Sequence, residues 1–276
     1  MPRTAANKPE NVNNTLKENA TNVFNQQSAL TEVVKMPSRG MVPGVPKEVT
    51  IRAIQRKDKK KLLMSETNDV LLSLLQYSIV SPTDFNVYDL LPFESEYLLY
   101  RLRILTYGPN HTFKQSCRFC GELNDVEMDL NAIPILELPD GFKTTFDIPL
   151  PVSGNILTCK LLTEGEKATI NKQSRELQNA TGDENVGLDM IWEARIVAIN
   201  GEKKLAPIEK TQFMDEMNDY DSEYFMEYYS NYEGNYGLQT KLKYACDKCG
   251  KVNESAMPSI YTFFRPTFTF PEFKWW

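Results

Sequence analysis

The sequence predicts an α+β fold, with a body of mixed helices and small antiparallel sheets. Three patterns predict it. In several short segments apolar and polar residues alternate, which is typical of half-buried strands. In longer segments the apolar residues recur every three or four positions, which is typical of one face of a helix. Finally, two cysteine pairs far apart in the chain share one spacing, which predicts a ribbon split into two halves.

Composition sets the broad class of protein. The 276 residues are enough for one large domain or for a body with an appendage, and 41% hydrophobic with 25% charged residues is ordinary for a globular chain. The net charge of -6 argues against general coating of DNA, which needs an excess of Lys and Arg. We expect no membrane span, since no apolar run approaches about 20 residues. We also expect no secretion, since the first residues lack the apolar segment of a signal peptide.

Residues 1–35 predict an extended N-terminal arm. The segment is rich in Asn, and its apolar residues follow neither the period of a strand nor that of a helix. Such a segment buries too little surface to offset a backbone entropy cost of about 1–2 kcal/mol per residue. We therefore expect it to be disordered alone and to become ordered only against a partner. A flexible tail without a role is the alternative interpretation.

Residues 36–130 are interpreted as the first half of the body, ending in the first cysteine pair and the strand that follows it. The predicted elements are a strand at 47–54, a solvated basic turn at Arg56–Lys61, helices at 67–82 and 95–108, and a strand at 126–130.

Residues 131–237 are interpreted as an inserted α/β subdomain, and 238–276 as the second cysteine pair with an aromatic C-terminal segment. The predicted elements of the insertion are strands at 144–150 and 155–162, a helix at 164–177 capped by Thr163 with Glu166 in a capping box, a loop at 179–187, a helix at 188–200, a tight turn at Asn200-Gly201, and helical sequence from Pro207.

The segment Asp215–Tyr236 combines acids and Tyr without Lys or Arg. Core packing of its aromatic stripe is favoured, and a docking surface for a basic partner is the alternative.

The two cysteine pairs carry the strongest signal in the chain. Cys117 and Cys120 precede Gly121, and Cys246 and Cys249 precede a second Gly in the same position. Thiolates two residues apart can hold one face of a tetrahedral metal, and the Gly lets the backbone turn so that its amides face the sulfurs. Two such pairs complete a closed set of four thiolates, which suits a structural Zn²⁺. Because loop-closure entropy grows only logarithmically, a long insertion between the pairs is tolerated.

Other interpretations of the cysteines and of the lone histidine are weaker. One Cys-x-x-Cys pair can be redox-active, but two matched pairs favour zinc. His111 is an alternative ligand, yet four Cys suffice, so we expect His111 on the surface or in a loop. Cys159 lies inside a strand pattern and is expected to be a small buried thiol. Since the four thiolates leave no open metal position, catalysis by this metal is not expected.

Six basic residues flank the cysteine pairs: Lys114, Arg118, Lys241, Lys243, Lys248 and Lys251. They are interpreted as a solvated rim that softens the charge of four thiolates, with a nucleic-acid or protein patch as the alternative. Motifs for phosphate loops, nucleophile elbows and HExxH zinc sites are missing from the sequence. No residue is therefore assigned a catalytic role, and no small-molecule substrate or cofactor other than zinc is expected.

The order of four segments resembles a known family. The segments are Met36–Gly40 followed by the strand Val49–Arg52, then Glu96–Gly108, then Cys117–Gly121, and last Cys246–Gly250 followed by Met257-Pro258 and Phe263–Pro266. Over about residues 36–270 the chain is similar to the baseplate hub assembly proteins of T-even-type contractile-tailed bacteriophages. Family members vary in keeping the Cys pairs, so the expectation of zinc rests on the spacing in this sequence.

The resemblance implies a non-enzymatic structural or assembly role at a phage baseplate hub, with other baseplate or tail proteins as partners. It also implies location in the virion, or in the host cytoplasm during assembly. The alternative is a zinc-ribbon accessory factor that binds nucleic acid. The negative net charge makes that alternative weaker.

Overall fold

A computed structural model describes residues 30–63, 70–182, 186–234, 236–257 and 264. The helices are α1 Arg56–Leu63, α2 Val70–Ser78, α3 Pro92–Tyr107, α4 Glu164–Thr181, α5 Val186–Arg195, α6 Pro207–Asp215 and α7 Asp219–Gly234. The strands are β1 Thr31–Lys35, β2 Glu48–Arg52, β3 Ile79–Ser81, β4 Asn110–Ser116, β5 Leu123–Asp129, β6 Ile135–Leu136, β7 Thr145–Pro149, β8 Ile156–Lys160, β9 Ile196–Ile199, β10 Gly237–Leu238, β11 Lys241–Ala245 and β12 Val252–Ala256. Among the described residues, no helix combines the length and apolar character needed to cross a bilayer.

The described strands form five small sheets, and every pairing between these strands is antiparallel. Two sheets have three strands each, in the orders β1-β2-β3 and β7-β8-β9, and three are two-stranded: β4-β5, β6-β10 and β11-β12. Together with the helices, this arrangement confirms the predicted α+β class.

One hydrophobic core joins the two larger sheets to the helices. Val49 and Ile51 of β2, Leu98 and Leu102 of α3, and Phe225 of α7 all belong to it and are fully buried. The core therefore draws on both the predicted first half and the predicted insertion. The boundaries that we assign between those two parts stay a prediction.

The residues at the two ends of helix α3 explain where it starts and where it ends. Pro92 occupies the first turn, where its missing N–H costs nothing, and the Glu94 carboxylate accepts a hydrogen bond from the Leu91 N–H at 3.3 Å. The helix therefore begins in the loop sequence before Ser95, which we considered as the alternative to a start at Ser95 itself. It ends at Gly108, which has a φ of 83°. Glycine adopts such a positive φ without strain. Burial of Glu94 raises the pKa of its carboxyl to about 7.

The end of the expected N-terminal arm is part of the body. Thr31–Lys35 forms β1, which pairs with β2 along its full length, and Val34 is buried in the core. The Arg101 side chain of α3 also forms an ion pair with Glu32. These partners lie far away in sequence, so the local composition of the segment did not reveal them. The rest of the expected arm, 1–29, lies outside the described residues.

The predicted basic turn at Arg56–Lys61 is wrong, because these residues begin α1. Buried Asp58 accepts two hydrogen bonds from the Arg52 guanidinium, at 2.7 and 2.9 Å, and one from the Gln55 N–H at 2.9 Å. Burial raises the pKa of Asp58, but these hydrogen bonds outweigh it and hold the pKa below its usual value. Asp58 thus caps the start of α1, although it lies inside the first turn and not before it.

The predicted helix at 188–200 is also shorter than expected. Helix α5 ends at Arg195, and the β-branched residues that follow form β9, which pairs with β8. The loop predicted at 179–187 is shorter too, since α4 continues to Thr181 and α5 starts at Val186. In contrast, the Thr163–Glu166 capping box is confirmed, with both reciprocal hydrogen bonds present at 3.0 and 3.2 Å.

The predicted aromatic stripe of α7, with Tyr220, Tyr224 and Tyr228, packs against the core only in part, because Tyr220 and Tyr228 are exposed. The fully buried aromatic residues of this helix lie one position further along. Phe225 and Tyr229 are fully buried, and the Tyr229 hydroxyl donates to the Lys160 carbonyl at 2.9 Å. The Arg195 guanidinium lies between the rings of Tyr229 and Trp192, 4.1 and 4.0 Å from their centroids. These contacts join α5, α7 and β8 into one unit.

Buried Asp221, in the first turn of α7, holds the turn between β7 and β8. Its carboxylate accepts hydrogen bonds from the N–H groups of Val152 and Ser153, both at 2.9 Å, and from the Asn218 side chain at 2.8 Å. Burial alone would raise the pKa of Asp221, but these donors outweigh it and lower the pKa to about 2. The ionised carboxylate therefore stabilises the folded chain.

We expect Asp221→Asn to lower the free energy of unfolding at neutral pH, because an amide cannot replace the ionised acceptor. The stabilisation by Asp221 exists above its ordinary pKa of 3.8 and is lost as the pH falls towards about 2. The difference between wild type and variant should therefore shrink over that range in denaturant titrations. Asp219→Asn, an exposed change on the same helix, is the control. A difference that stays constant with pH would refute this role.

Candidate metal centre

Two β-hairpins of the same design carry the cysteine pairs. Cys117 and Cys120 lie in the turn between β4 and β5, and Cys246 and Cys249 lie in the turn between β11 and β12. In each hairpin the first cysteine is buried and the second is exposed. The structure thus brings together all four residues that the sequence singled out.

Each turn closes through the same backbone bonds. The Gly121 N–H donates to the Cys117 carbonyl at 2.9 Å, and the Gly250 N–H donates to the Cys246 carbonyl at 2.8 Å. Both glycines have positive φ, 74° and 68°, a conformation that other residues rarely adopt. This is why a Gly follows the second cysteine in each pair.

The four sulfur atoms form a compact cluster. All lie within 4.8 Å of one another; the Cys117 and Cys249 sulfurs are 3.8 Å apart, and the Cys120 and Cys246 sulfurs are 3.6 Å apart. A tetrahedral zinc with Zn–S bonds of about 2.3 Å requires its sulfurs to be about 3.8 Å apart. Both of these contacts run between the hairpins, so a single ion here would link the two hairpins.

The electrostatics of the cluster favour a bound cation. Burial raises the pKa of Cys117, but the Phe119 N–H and the Asn253 amide outweigh it and lower the pKa to about 6. The Glu122 N–H lowers the pKa of Cys120, but burial and the neighbouring sulfurs raise it to about 12. Four thiols this close cannot all ionise unless a positive charge compensates them. A divalent metal supplies that charge, and four thiolates are a ligand set that Zn²⁺ prefers.

Two buried asparagines connect the hairpins in a reciprocal way. Asn253 of β12 accepts a hydrogen bond from the Arg118 N–H of the other hairpin at 3.0 Å and donates to the Cys117 sulfur at 3.4 Å. Asn124 of β5 accepts a hydrogen bond from the Asp247 N–H at 2.9 Å. Each asparagine therefore holds the residue after the first cysteine of the opposite pair.

Sequence reasoning missed these asparagines, although a signal was present. Each lies seven positions after the first cysteine of its own pair, so that the motif Cys-x-x-Cys-Gly-x-x-Asn occurs at 117–124 and again at 246–253. The repeat thus extends three residues beyond the part that we recognised. It indicates that the two hairpins are related by an approximate two-fold arrangement.

Further contacts fix the hairpins to each other and to the body. The Tyr244 hydroxyl donates to the Ser116 carbonyl at 2.8 Å, and the Gln115 amide donates to the Ser255 hydroxyl at 2.9 Å. At the base, Met257 packs against a small buried cluster with the following members: Tyr100, Leu130 and Ile133. Since Tyr100 belongs to α3, this helix supports the ribbon.

The remaining cysteine, Cys159, and the alternative ligand, His111, are not part of the sulfur cluster. Cys159 is fully buried in β8, as predicted, and burial raises the pKa of its thiol to about 12. The expectation that His111 lies on the surface or in a loop is wrong. It lies on the inward face of β4, almost fully buried and stacked on Phe113 at 5.6 Å, because alternate residues of that strand face the interior.

Much of the predicted basic rim is paired with acids. The ion pairs are Lys114 with Asp125 at 3.5 Å, Lys243 with Glu254 at 3.8 Å and Lys248 with Glu122 at 2.8 Å. Arg118 and Lys251 instead lie over the ring of Phe119, which is 45% exposed at the tip of the first hairpin. The carboxylates leave a rim of mixed charge, which weakens the case for phosphate binding.

A family model described as T4 bacteriophage base plate protein matches residues 29–265. The matched region includes both cysteine hairpins, α3 and the whole intervening chain. A search of curated proteins found no match, and neither did a search of solved structures.

We expect Asn253→Ala to lower the free energy of unfolding by about 1–3 kcal/mol, because it leaves the Arg118 N–H unpaired. Denaturant titration measures this loss. Asn231→Ala, an exposed change on α7, is the matched control and should stay within about 0.5 kcal/mol. Equal stability of the two variants would contradict the role of the reciprocal asparagines.

Proposed function

Because this chain belongs to the family of T4 bacteriophage base plate proteins, we propose that it is a structural or assembly component of the hub region of a contractile-tailed phage baseplate. The match over residues 29–265 carries this proposal, since it covers nearly all of the described fold. The partners are other baseplate and tail proteins. The chain would act in the virion, or in the host cytoplasm while the baseplate assembles.

The proposed role is non-enzymatic and works through protein–protein contacts. The cysteine cluster, with four sulfurs within 4.8 Å of one another, would leave a bound metal no position open for substrate. The exposed Tyr220 and Tyr228 on acidic α7, and the N-terminal segment 1–29, are candidate contact regions. Exposed Tyr side chains are typical of protein interfaces.

A structural Zn²⁺ bound by Cys117, Cys120, Cys246 and Cys249 is part of this proposal. The sulfur spacing and the N–H groups aimed at the sulfurs support it. The metal would hold together the two ends of the chain segment that runs from β5 to β11. Since a hydrophobic core already supports the fold, the metal would secure the ribbon more than the body.

Binding of nucleic acid by the ribbon is the second candidate. It rests on Arg118, Lys251 and the exposed Phe119 between them, because cations beside an aromatic ring suit a nucleotide strand. The ion pairs of the remaining rim and the net charge of -6 count against it. A salt-sensitive shift of single-stranded DNA or RNA by the purified chain would favour this candidate over baseplate assembly.

We expect one zinc ion per purified chain, measured by elemental analysis. Cys246→Ser should lose most of the metal and should increase amide hydrogen exchange in both hairpins, because each sulfur serves both halves of the site. Cys159→Ala, which removes the remaining thiol, is the matched control and should keep the full zinc content. A metal-free wild type, or faster exchange in only one hairpin of Cys246→Ser, would contradict a shared ion.

We expect the chain to co-purify with baseplate proteins from infected cells. Quantitative mass spectrometry of purified virions and of baseplate intermediates should detect it in at least one of the two, while particles without tails serve as the background. The physical reason is that a component held by protein contacts co-purifies with its neighbours. Absence from both virions and intermediates would rule out the proposed role.

A further inference from the structure

The outer edge of β1 has the hydrogen-bonding pattern of an incomplete sheet. Strand β1 is the first strand of the β1-β2-β3 sheet, so only one of its edges is paired with another described strand. The Ala53 N–H donates to the Leu30 carbonyl, and the Met36 N–H donates to the Lys47 carbonyl. Residues of an antiparallel strand alternate between the two edges. The even-numbered residues of β1 therefore bond to β2.

It follows that Thr31, Val33 and Lys35 direct their N–H and C=O groups away from β2. In the part of the chain that the structure describes, these groups have no backbone partner, and the three side chains are exposed. Val33, at the centre, is 60% exposed, which is unusual for a β-branched apolar residue in a strand. An open edge with an apolar centre is a template for another strand.

The outer edges of the other three-stranded sheet are less suited to pairing. On β7 the outward positions include Asp147, a charge, and Pro149, which has no N–H. On β9 the Ile196 carbonyl already accepts a hydrogen bond from the Lys210 side chain at 2.6 Å. The far edge of the β1 sheet is β3, which has three residues and is followed by Pro82. Only β1 offers a full strand without these obstacles among the described edges of these two sheets.

The outward groups of β1 are complementary to themselves. We propose that β1 pairs antiparallel with β1 of a second copy of this chain, in a register centred on Val33. That register sets Val33 opposite Val33 of the partner subunit, and Thr31 opposite Lys35 of the partner subunit. All three outward residues then fall in hydrogen-bonded pairs, each of which exchanges two N–H···O bonds. The two sheets become one continuous sheet of six strands.

The side chains and charges of β1 are compatible with this register. The two Val33 side chains meet on the exposed face and remove each other from water, which stabilises the pair. The two Lys35 side chains lie at opposite ends of the junction, about 14 Å apart at 3.4 Å per residue. That distance exceeds the Debye length of about 8–10 Å, so their repulsion is screened. Glu32 faces α3, where Arg101 neutralises it.

A contact built mainly on one short strand pair belongs to the small, weak class of interfaces. We therefore expect a reversible dimer whose fraction rises with protein concentration. This inference concerns the isolated chain and goes beyond the proposed baseplate role. If the isolated chain does not dimerise, the proposed baseplate role still stands. If the baseplate role is wrong, dimerisation through β1 can still be measured.

Sedimentation velocity of the full chain over a range of concentrations tests the proposal. Val33→Lys should raise the dimer dissociation constant at least about tenfold, because a charge at the centre of the pair must be buried against its own copy. The matched control is Val80→Lys on β3, the opposite edge strand of the same sheet, which should leave dimerisation unchanged. Val80 is 41% exposed, so both variants should fold.

A second variant tests the register itself. Val33→Cys places two thiols across the dimer axis at a Cα separation of about 5.5 Å, within the range that a disulfide spans. Mild oxidation should give a covalent dimer linked through residue 33, identified by peptide mass spectrometry, whereas Val80→Cys should give none. A chain that stays monomeric at every concentration, or equal dimerisation of Val33→Lys and wild type, would overturn the proposal.

Discussion

The ribbon, which joins two distant parts of the chain, depends on the meeting of two sulfur pairs. Cys120 and Cys246 are 126 positions apart, yet their sulfurs lie 3.6 Å from each other. Closing a loop of that length costs only slightly more entropy than closing a shorter one, because the cost grows with the logarithm of length. Three sets of contacts offset this entropy cost: the sulfur cluster, the reciprocal asparagine hydrogen bonds and the packing of the ribbon on α3. The chain segment from β5 to β11 therefore starts and ends at hairpins that are held against each other.

Helix α3 links this ribbon to the rest of the molecule. One side of the helix supplies Leu98 and Leu102 to the main core, while Tyr100 packs with Met257 beneath the ribbon. Arg101 binds Glu32 of β1, so the same helix also supports the open sheet edge. A rigid frame of this kind suits a protein that presents surfaces to neighbours in a baseplate. The cysteine cluster and the β1 edge lie on elements that this one helix holds together.

The local patterns that predicted structure correctly are those whose cause is also local. The Thr163–Glu166 capping box and the paired Cys-x-x-Cys-Gly turns need only neighbouring residues, and the structure contains both features. The errors arose where residues outside the predicted segment decide the outcome. Arg56–Lys61 became helical through Asp58 and Arg52, and β1 formed because β2 and α3 cover it. The burial of His111 and the asparagine bonds depend on contacts between elements, although the Asn spacing was visible in the sequence.

We propose that one metal ion joins both cysteine pairs of a single chain. Zinc-edge X-ray absorption spectroscopy of the purified full-length protein tests it most directly, because it reports the number and type of atoms bound to the ion. We predict four sulfur neighbours at about 2.3 Å. A shell with nitrogen or oxygen neighbours in place of sulfur would contradict the account, as would two sulfurs per metal.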